Sequence, residues 1–335
     1  MKKRILITGA SGFIGRYLVE EALAQGLEVW AGIRSSSSLR HLSDSRIHRI
    51  DLDYSSTDAL LTQIKALIQE GEPAWHYVIH NAGVTKTAQT KDFYLVNGTY
   101  AGNLFSALAS SPLPPERVVL MSSLSTYGPP IEKGCPMRAE DPQRPNTHYG
   151  RSKLQGEKAL RTSGLPYSIM LLTGVYGSGD ADYFMAVREI NKGLNILAGC
   201  RPQELTFVHA SDVARATLFV LNHPNTLGHS YMLTDGEIYR DIDFGRTVQE
   251  LLGRKRALHL RAPLPLVRFA CLIGDVVGKM TGKVTPLNSD KYKIFAQRSW
   301  ACDDSPIRSL GFTPKISLRE GFRKVIEEAL KEGKL

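Results

Sequence analysis

The eight residues Thr8-Gly9-Ala10-Ser11-Gly12-Phe13-Ile14-Gly15 constrain this chain most. They follow a short apolar run, Arg4-Ile5-Leu6-Ile7, and open a helical pattern that continues to about Gln25. Strand, glycine turn and helix in that order form the arrangement that cradles a dinucleotide pyrophosphate. Gly9 permits the tight turn, Gly12 lets backbone approach the phosphates, and Gly15 lets the helix lie close on the sheet. Ser11, Phe13 and Ile14 belong to the same loop. The helix start offers free N–H groups and a positive dipole end to an anion. An ordinary βα turn is the alternative, but here all three parts fall in the right order.

The rest of the first half repeats the alternation. Strands are predicted at 4–8, 27–33, 46–50, 76–80, 117–122 and 167–172, and helices at 13–25, 58–70, 91–110 and 147–163. Gly26 suits the residue after the first helix, and Pro112, Pro114 and Pro115 stop the helix 91–110. This is the pattern of an α/β, Rossmann-type, doubly wound parallel sheet. After about residue 175 the pattern loosens. We therefore expect a dinucleotide-binding domain over 1–175, with some later segments returning to it, and a smaller substrate-binding lobe over 176–335. Pro263 and Pro265 open an apolar, helical segment reaching about Thr281, and an amphipathic helix from Leu318 to about Lys331 closes the chain.

The 335 residues are enough for one large α/β domain with a second lobe. Cys135, Cys200, Cys271 and Cys302 lie far apart, without metal-ligand or redox spacing, and read as reduced thiols. With no signal segment and no uncharged stretch of spanning length, a cytoplasmic location is expected. The net charge of +9 is uneven. From Arg254 to Lys283 there are seven basic residues and one acid. Such a surface suits phosphates, anionic lipid or nucleic acid, or is simply a solvated face. No nucleic-acid module accompanies it, so no nucleic-acid partner is expected.

Tyr149-Gly150-Arg151-Ser152-Lys153 is the second informative stretch. In a helix, Tyr149 and Lys153 are i and i+4 and share a face. A cation beside a phenol favours the phenolate and turns Tyr149 into an acid/base usable near neutral pH. A surface helix pair would give the same spacing. The strand 117–122 runs into Ser122-Ser123-Leu124-Ser125-Thr126-Tyr127-Gly128. A hydroxyl there, at the carboxyl end of a parallel strand, faces the ligand crevice. Ser123 is placed to donate to a substrate oxygen, although a capping role is equally open to it.

Taken together, these motifs resemble the extended short-chain dehydrogenase/reductases. Within that group the chain is NAD-dependent epimerase/dehydratase-like and lies nearest the 3β-hydroxysteroid dehydrogenase and dihydroflavonol reductase branch. The resemblance rests on Gly9/Gly12/Gly15, Asp51-Leu52, His80-Asn81-Ala82-Gly83, Asn97, Ser122-Ser123, Tyr127-Gly128, Tyr149 with Lys153, Thr173-Gly174-Val175-Tyr176-Gly177, and Phe207-Val208-His209 with Asp212-Val213-Ala214. It implies that Tyr149 moves the proton, that Lys153 holds the nicotinamide ribose, and that Ser123 orients the substrate oxygen. It places Asn97 in support of Lys153 through water. Asp51 and Leu52 flank the adenine, Asn81, Ala82 and Gly83 line the dinucleotide, and Ser122, Thr173 and Val175 lie along the cofactor. No metal is implied.

Departures from the family pattern narrow the expectation. NAD-preferring members place an acid at the end of the second strand. Here Ile33 takes that place and Arg34 follows, with Ser35–Ser37 behind it. An Arg there suits a 2′-phosphate, so NADP is expected over NAD. Leu124-Ser125 replaces the Asp-Glu pair of dehydratases. Leu205 stands where nucleotide-sugar enzymes carry a diphosphate-binding Arg, and Leu171-Leu172 replaces an Arg-Pro pair. The resulting expectation is an NAD(P)-dependent oxidoreductase acting on a small-molecule apolar ketone or alcohol. A nucleotide-sugar epimerase and a non-catalytic dinucleotide-binding protein remain as alternatives. A homodimer through helices 91–110 and 147–163 is expected, on apolar residues such as Phe93, Val96, Leu104 and Leu108, and the basic surroundings of Ala262–Thr281 permit contact with an anionic membrane surface.

Overall fold

The computed structural model describes every residue except Met1, Glu70 and Lys133. Seven parallel strands form the central sheet: β1 (Arg4–Thr8), β2 (Glu28–Gly32), β3 (Ile47–Ile50), β4 (Tyr77–His80), β5 (Arg117–Ser123), β6 (Tyr167–Leu172) and, from late in the chain, β11 (Ser230–Leu233). Their order is β11-β6-β5-β4-β1-β2-β3. Register is set at the centre, where Ile7 of β1 lies opposite Ala31 of β2 and Ile79 of β4. These strands are apolar on both faces because helices cover both. Ile5 and Ile7 point toward α1 (Phe13–Ala24) and α7 (Ala210–Asn222), packing with Leu18 and Val213. Leu6 points the other way, toward α2 (Thr57–Ala66), α4 (Ala101–Ala109) and α5 (His148–Thr162), among Leu60, Leu104 and Leu160.

Strand order reverses between β1 and β4, which opens a crevice at their carboxyl ends. The glycine loop after β1, Asn81-Ala82-Gly83 after β4, and Ser123 at the end of β5 all lie on this edge.

The predicted strands and helices match the observed ones closely, with two differences. The helix expected over 58–70 ends at Ala66, and its expected last residue, Glu70, lies outside the described residues. The helix expected over 91–110 is divided into α3 (Thr90–Phe93), a π-helical stretch Tyr94–Tyr100, and α4. Gly156 of α5 lies against this widened turn, where an added Cβ would sit 2.5 Å from the Asn97 carbonyl, so only glycine lets α5 approach it so closely. Later segments return to this domain: β11 joins the sheet edge and α7 packs on its face. Leu171 and Leu172 end β6 as core residues.

The smaller lobe is built from three two-stranded pieces. β7 (Gly174–Tyr176) pairs with β10 (Phe207–His209), β8 (Leu194–Ala198) with β13 (Leu258–Ala262), and β9 (Glu204–Leu205) runs antiparallel to β12 (Tyr239–Arg240). Helix α11 (Ser305–Ser309) packs Ile307 into the sheet core at β11, whereas α6 (Asp182–Asn191), α8 (Asp241–Leu251), α9 (Leu264–Thr281), α10 (Ser289–Phe295) and α12 (Leu318–Lys331) surround these pieces of the lobe. Its core is aromatic: Tyr176 stacks on Phe322 at 4.4 Å, and Phe207 and Phe244 close around them. Helix α12 begins at Leu318 because Ser317 and Glu320 cap each other's backbone donors. The buried Asp212 carboxylate ties the approach to α12 onto α7 by accepting from Lys315 and Ile316 N–H.

Of the apolar residues expected to drive dimerisation, Phe93, Leu104 and Leu108 are buried within the chain itself. All four cysteines are free thiols. Among the described residues, no helix is long and apolar enough to cross a membrane, and no three His, Cys, Asp or Glu side chains cluster to hold a metal.

The glycine loop gives the first test. A Cβ on Gly15 would sit 2.2 Å from the Gly9 carbonyl oxygen and 2.7 Å from that of Ala10, both backbone atoms that cannot swing aside. Gly15→Ala should destabilise the fold by about 1–3 kcal/mol and loosen the dinucleotide turn. Denaturant melts with and without dinucleotide check this.

Candidate active site

The dinucleotide end is shaped by backbone. Gly9 adopts a left-handed φ of 65°, and a Cβ there would press within 2.9 Å of Ala82. Helix α1 starts at Phe13 with Gly12 as its N-cap residue and no side chain capping it. Its first N–H groups are therefore left for an anion, which is what a bound pyrophosphate requires. Thr8 holds the two loops together. Its hydroxyl accepts from Asn81 N–H (3.1 Å) and Ala82 N–H (3.0 Å) and lies 2.9 Å from His80 Nδ1. Burial, with the Lys153 charge adding to it, brings His80 down to about 3, so the ring is neutral.

At the adenine end, Asp51 accepts from Ser35 N–H (2.9 Å), Leu52 is buried in the core, and Ser37 Oγ accepts from Arg34 N–H (3.1 Å). The Arg34 side chain is exposed beside Ile33, and no carboxylate stands at the end of β2. Residues Gly9, Ser11, Gly12, Phe13, Ile14, Gly15, Arg34, Asp51, Asn81, Ala82 and Gly83 would hold the dinucleotide, whose nicotinamide supplies hydride transfer.

The reacting end is organised by α5. Its first three N–H groups are all satisfied. Thr147 Oγ1 accepts from Gly150, and the Asp290 carboxylate, reaching across from α10, accepts from His148 (2.9 Å) and Tyr149 (3.3 Å). Tyr149 is half-buried, with its ring edge against Phe93 at 6.1 Å. Burial raises its phenol above the usual value, and the Ser123 hydroxyl pulls against that rise. The phenol is thus neutral in this structure, in contrast to the lowered value expected from Lys153 alone. The reason is where Lys153 points: its Nζ donates to the Met121 carbonyl on β5 at 2.6 Å. Ser123 is at once the cap of the following 3-10 turn, through Ser125 N–H (3.2 Å), and the hydroxyl beside Tyr149. Thr173 bonds Thr206 at 2.7 Å, and Val175 pairs with Val208, fixing the strand that leads out to the lobe.

Two of the sequence candidates are directed elsewhere. The Ser122 side chain is buried and donates to Glu157 Oε1 at 2.5 Å. Asn97, in the π-helical turn, clamps Val84 from both sides, accepting from its N–H (2.8 Å) and donating to its carbonyl (2.9 Å), and also donates to Ser152 Oγ (3.0 Å). It therefore sets the turn after Gly83.

Glu157 and Asp290 were not among the residues singled out from sequence. Glu157 is fully buried one turn beyond Lys153. Its second carboxylate oxygen accepts from Gln143 Nε2 at 2.8 Å, and Arg161 stands 3.7 Å away. Burial lowers Lys153 to about 8, and the Glu157 charge keeps it from falling further. The spacing Tyr149, Lys153, Glu157 repeats every four residues, which was the signal available for Glu157. Nothing near Asp290 marks it in sequence.

A glycine cradle, a switch-point crevice and a Ser123/Tyr149/Lys153 set define a dinucleotide-binding Rossmann-type protein. The model of the NAD dependent epimerase/dehydratase family matches residues 5–234, and the chain belongs to that family. It is 25% identical over 346 residues to a UDP-glucose 4-epimerase of Vibrio cholerae, covering 98% of this chain and 96% of the relative. It is 23% identical over 326 residues to a ceramide reductase of Caulobacter vibrioides, covering 96% and 93%. In fold it is similar to the Bordetella bronchiseptica enzyme WbmG in complex with NAD, with a TM-score of 0.77, 19% identity, and coverage of 100% and 96%.

Two substitutions separate proton transfer from the support of Lys153. Tyr149→Phe should lower turnover by roughly 10²–10⁴-fold while leaving dinucleotide affinity near that of the parent. Glu157→Gln removes the charge that holds Lys153 up, so Lys153 loses its proton at lower pH. The alkaline limb of kcat should then move down by roughly one pH unit. Turnover measured across pH, alongside dinucleotide titration, checks both.

Proposed function

We propose that the chain is an NADP-dependent oxidoreductase that interconverts a ketone and an alcohol on an apolar, lipid-like substrate. The observation that carries this is Leu205. It stands where a nucleotide-sugar enzyme would place a diphosphate-binding Arg, and it packs against the aromatic core that includes Phe207 and Phe244. A diphosphate left there without a cation would be a buried unpaired charge, which is costly. A hydrocarbon chain meets no such cost. The relative named as a ceramide reductase is in keeping with this reading. Tyr149, held neutral, gives its proton to the ketone oxygen while Ser123 orients that oxygen. Arg34 beside Ile33 suits a 2′-phosphate, because a guanidinium makes charge-assisted bonds to phosphate oxygens and could offset the Asp51 carboxylate held at Ser35 N–H.

Nucleotide-sugar epimerisation is the second reading, favoured by the likeness to the Vibrio cholerae UDP-glucose 4-epimerase. One experiment divides the two. Purified protein is given NADPH or NADH with ketosteroids and long-chain keto lipids, and in parallel NAD with UDP-sugars. Consumption of NADPH with an apolar ketone, and a dinucleotide preference lost in Arg34→Ala, is expected. Sugar epimers with no response to any apolar ketone would establish the second reading instead.

A further inference from the structure

Helix α9 carries an apolar stripe that faces outward. Leu266, Phe269, Leu272, Ile273, Val276, Val277 and Met280 are all exposed, Met280 to 82% and Phe269 to 62%. At 100° per residue they span an arc of roughly 140° on one side of the helix. The opposite side is the one used for packing. Cys271 is buried there, and Gly274 and Gly278 face the following segment, where a Cβ on Gly274 would meet the Leu287 carbonyl at 1.9 Å. The helix is thus anchored by its small-residue face and presents its greasy face to the outside. An apolar surface of this extent needs an occupant.

Charge tells which occupant. From Arg254 to Lys283 the chain has seven basic residues and one acid. Arg254, Lys255, Arg256, Arg268, Lys279 and Lys283 are exposed. The one acid, Asp275, is turned inward, accepting from Ser289 N–H at 3.2 Å. A second copy of the chain docking on this face about a two-fold axis would bring one cationic rim against another. A bilayer with anionic headgroups meets both requirements: hydrocarbon takes the stripe and headgroups take the rim. Between α9 and α10 lies a cavity of about 340 Å³ lined by Leu264, Pro265, Arg268, Phe269, Leu272 and Tyr292, apolar with a cation in its wall.

We propose that α9 lies in the surface of an anionic membrane, with Leu266, Phe269, Ile273, Val276 and Met280 in the acyl boundary and Arg268, Lys279 and Lys283 at the headgroups. The proposal stands apart from the choice of substrate. It also gives the docked face a short route to the reacting end, because α10 packs on α9 and its Asp290 caps the helix that carries Tyr149.

Flotation of the full chain with vesicles tests this. Phosphatidylcholine vesicles containing a third phosphatidylglycerol are compared with pure phosphatidylcholine, at low and high salt. Binding at least tenfold tighter to the anionic vesicles, weakened by salt and by Lys279→Glu/Lys283→Glu, is expected. Phe269→Glu/Met280→Glu should abolish binding. These side chains are exposed, so the variant should keep the parent Tm and dinucleotide affinity. Absence of vesicle binding by the parent, or equal binding by Phe269→Glu/Met280→Glu, overturns the proposal. So does a parent that self-associates and leaves vesicles alone while that variant is monomeric, since the face would then join copies of the chain.

Discussion

The ammonium of Lys153 is buried, and the rest of the reacting end is arranged to tolerate it. A buried charge without partners is untenable, so it would lose its proton or pull in water. Here Nζ donates to the Met121 carbonyl, while Glu157, one turn along α5, is fixed to the next residue of β5 through Ser122. Strand β5 thus receives two contacts from α5 at adjacent positions, one through a cation and one through a carboxylate. The pair holds the helix in register on the strand end. That register is what sets Tyr149 beside Ser123. Each group keeps its own partners, Met121 for Lys153 and Ser122, Gln143 and Arg161 for Glu157, and removing a partner would leave a buried charge less well satisfied.

The same helix joins the two parts of the molecule. Asp290 belongs to the smaller lobe, yet it satisfies donors at the start of α5. A carboxylate at that end also opposes the positive pole of the helix. Lys86 and Lys291 both reach Asp182 of α6, so the loop after β4 and helix α10 meet at one acid. Any displacement of the lobe is therefore felt at the first turn of α5, where Tyr149 lies. The lobe is not an independent lid, since it supplies part of the cap of α5.

How much of this could be read from the sequence follows from the range of each interaction. The sheet strands and α1 were legible because their signals are local: apolar runs, a glycine turn, helical periodicity. The Leu318 start of α12 was legible for the same reason. Strand β11 escaped because four residues, Ser-Tyr-Met-Leu, carry little pattern, and it is the vacant edge of β6 that recruits them. The π-helical turn at Asn97 escaped because no local signal marks it, and it is accommodated by Gly156 on a helix distant in sequence. In the candidate site, Tyr149, Lys153 and Ser123 were marked by spacing, but the direction of a side chain was not. Ser122 and Asn97 carry the right chemistry and turn it toward Glu157 and Val84. Asp290 lies 141 residues beyond Tyr149 on the helix it caps, and no local signal could connect them.

Burial sets the protonation of the resting site. Desolvation acts on Tyr149 and Lys153 in opposite senses, lifting the phenol and lowering the amine, because it penalises the charged form of each. Near neutral pH the phenol therefore keeps its proton, and Lys153, at about 8, is still mostly charged. A neutral phenol is an acid ready to give a proton to a carbonyl oxygen that is gaining negative charge. Oxidation of an alcohol asks the reverse, a phenol that has already lost its proton, and that state must be bought against the burial of Tyr149. Positive charge close to the hydroxyl would supply it, and Lys153 now spends its contact on Met121. In the resting geometry the phenol is thus neutral and the amine charged, and burial together with the Lys153 charge keeps His80 behind them neutral.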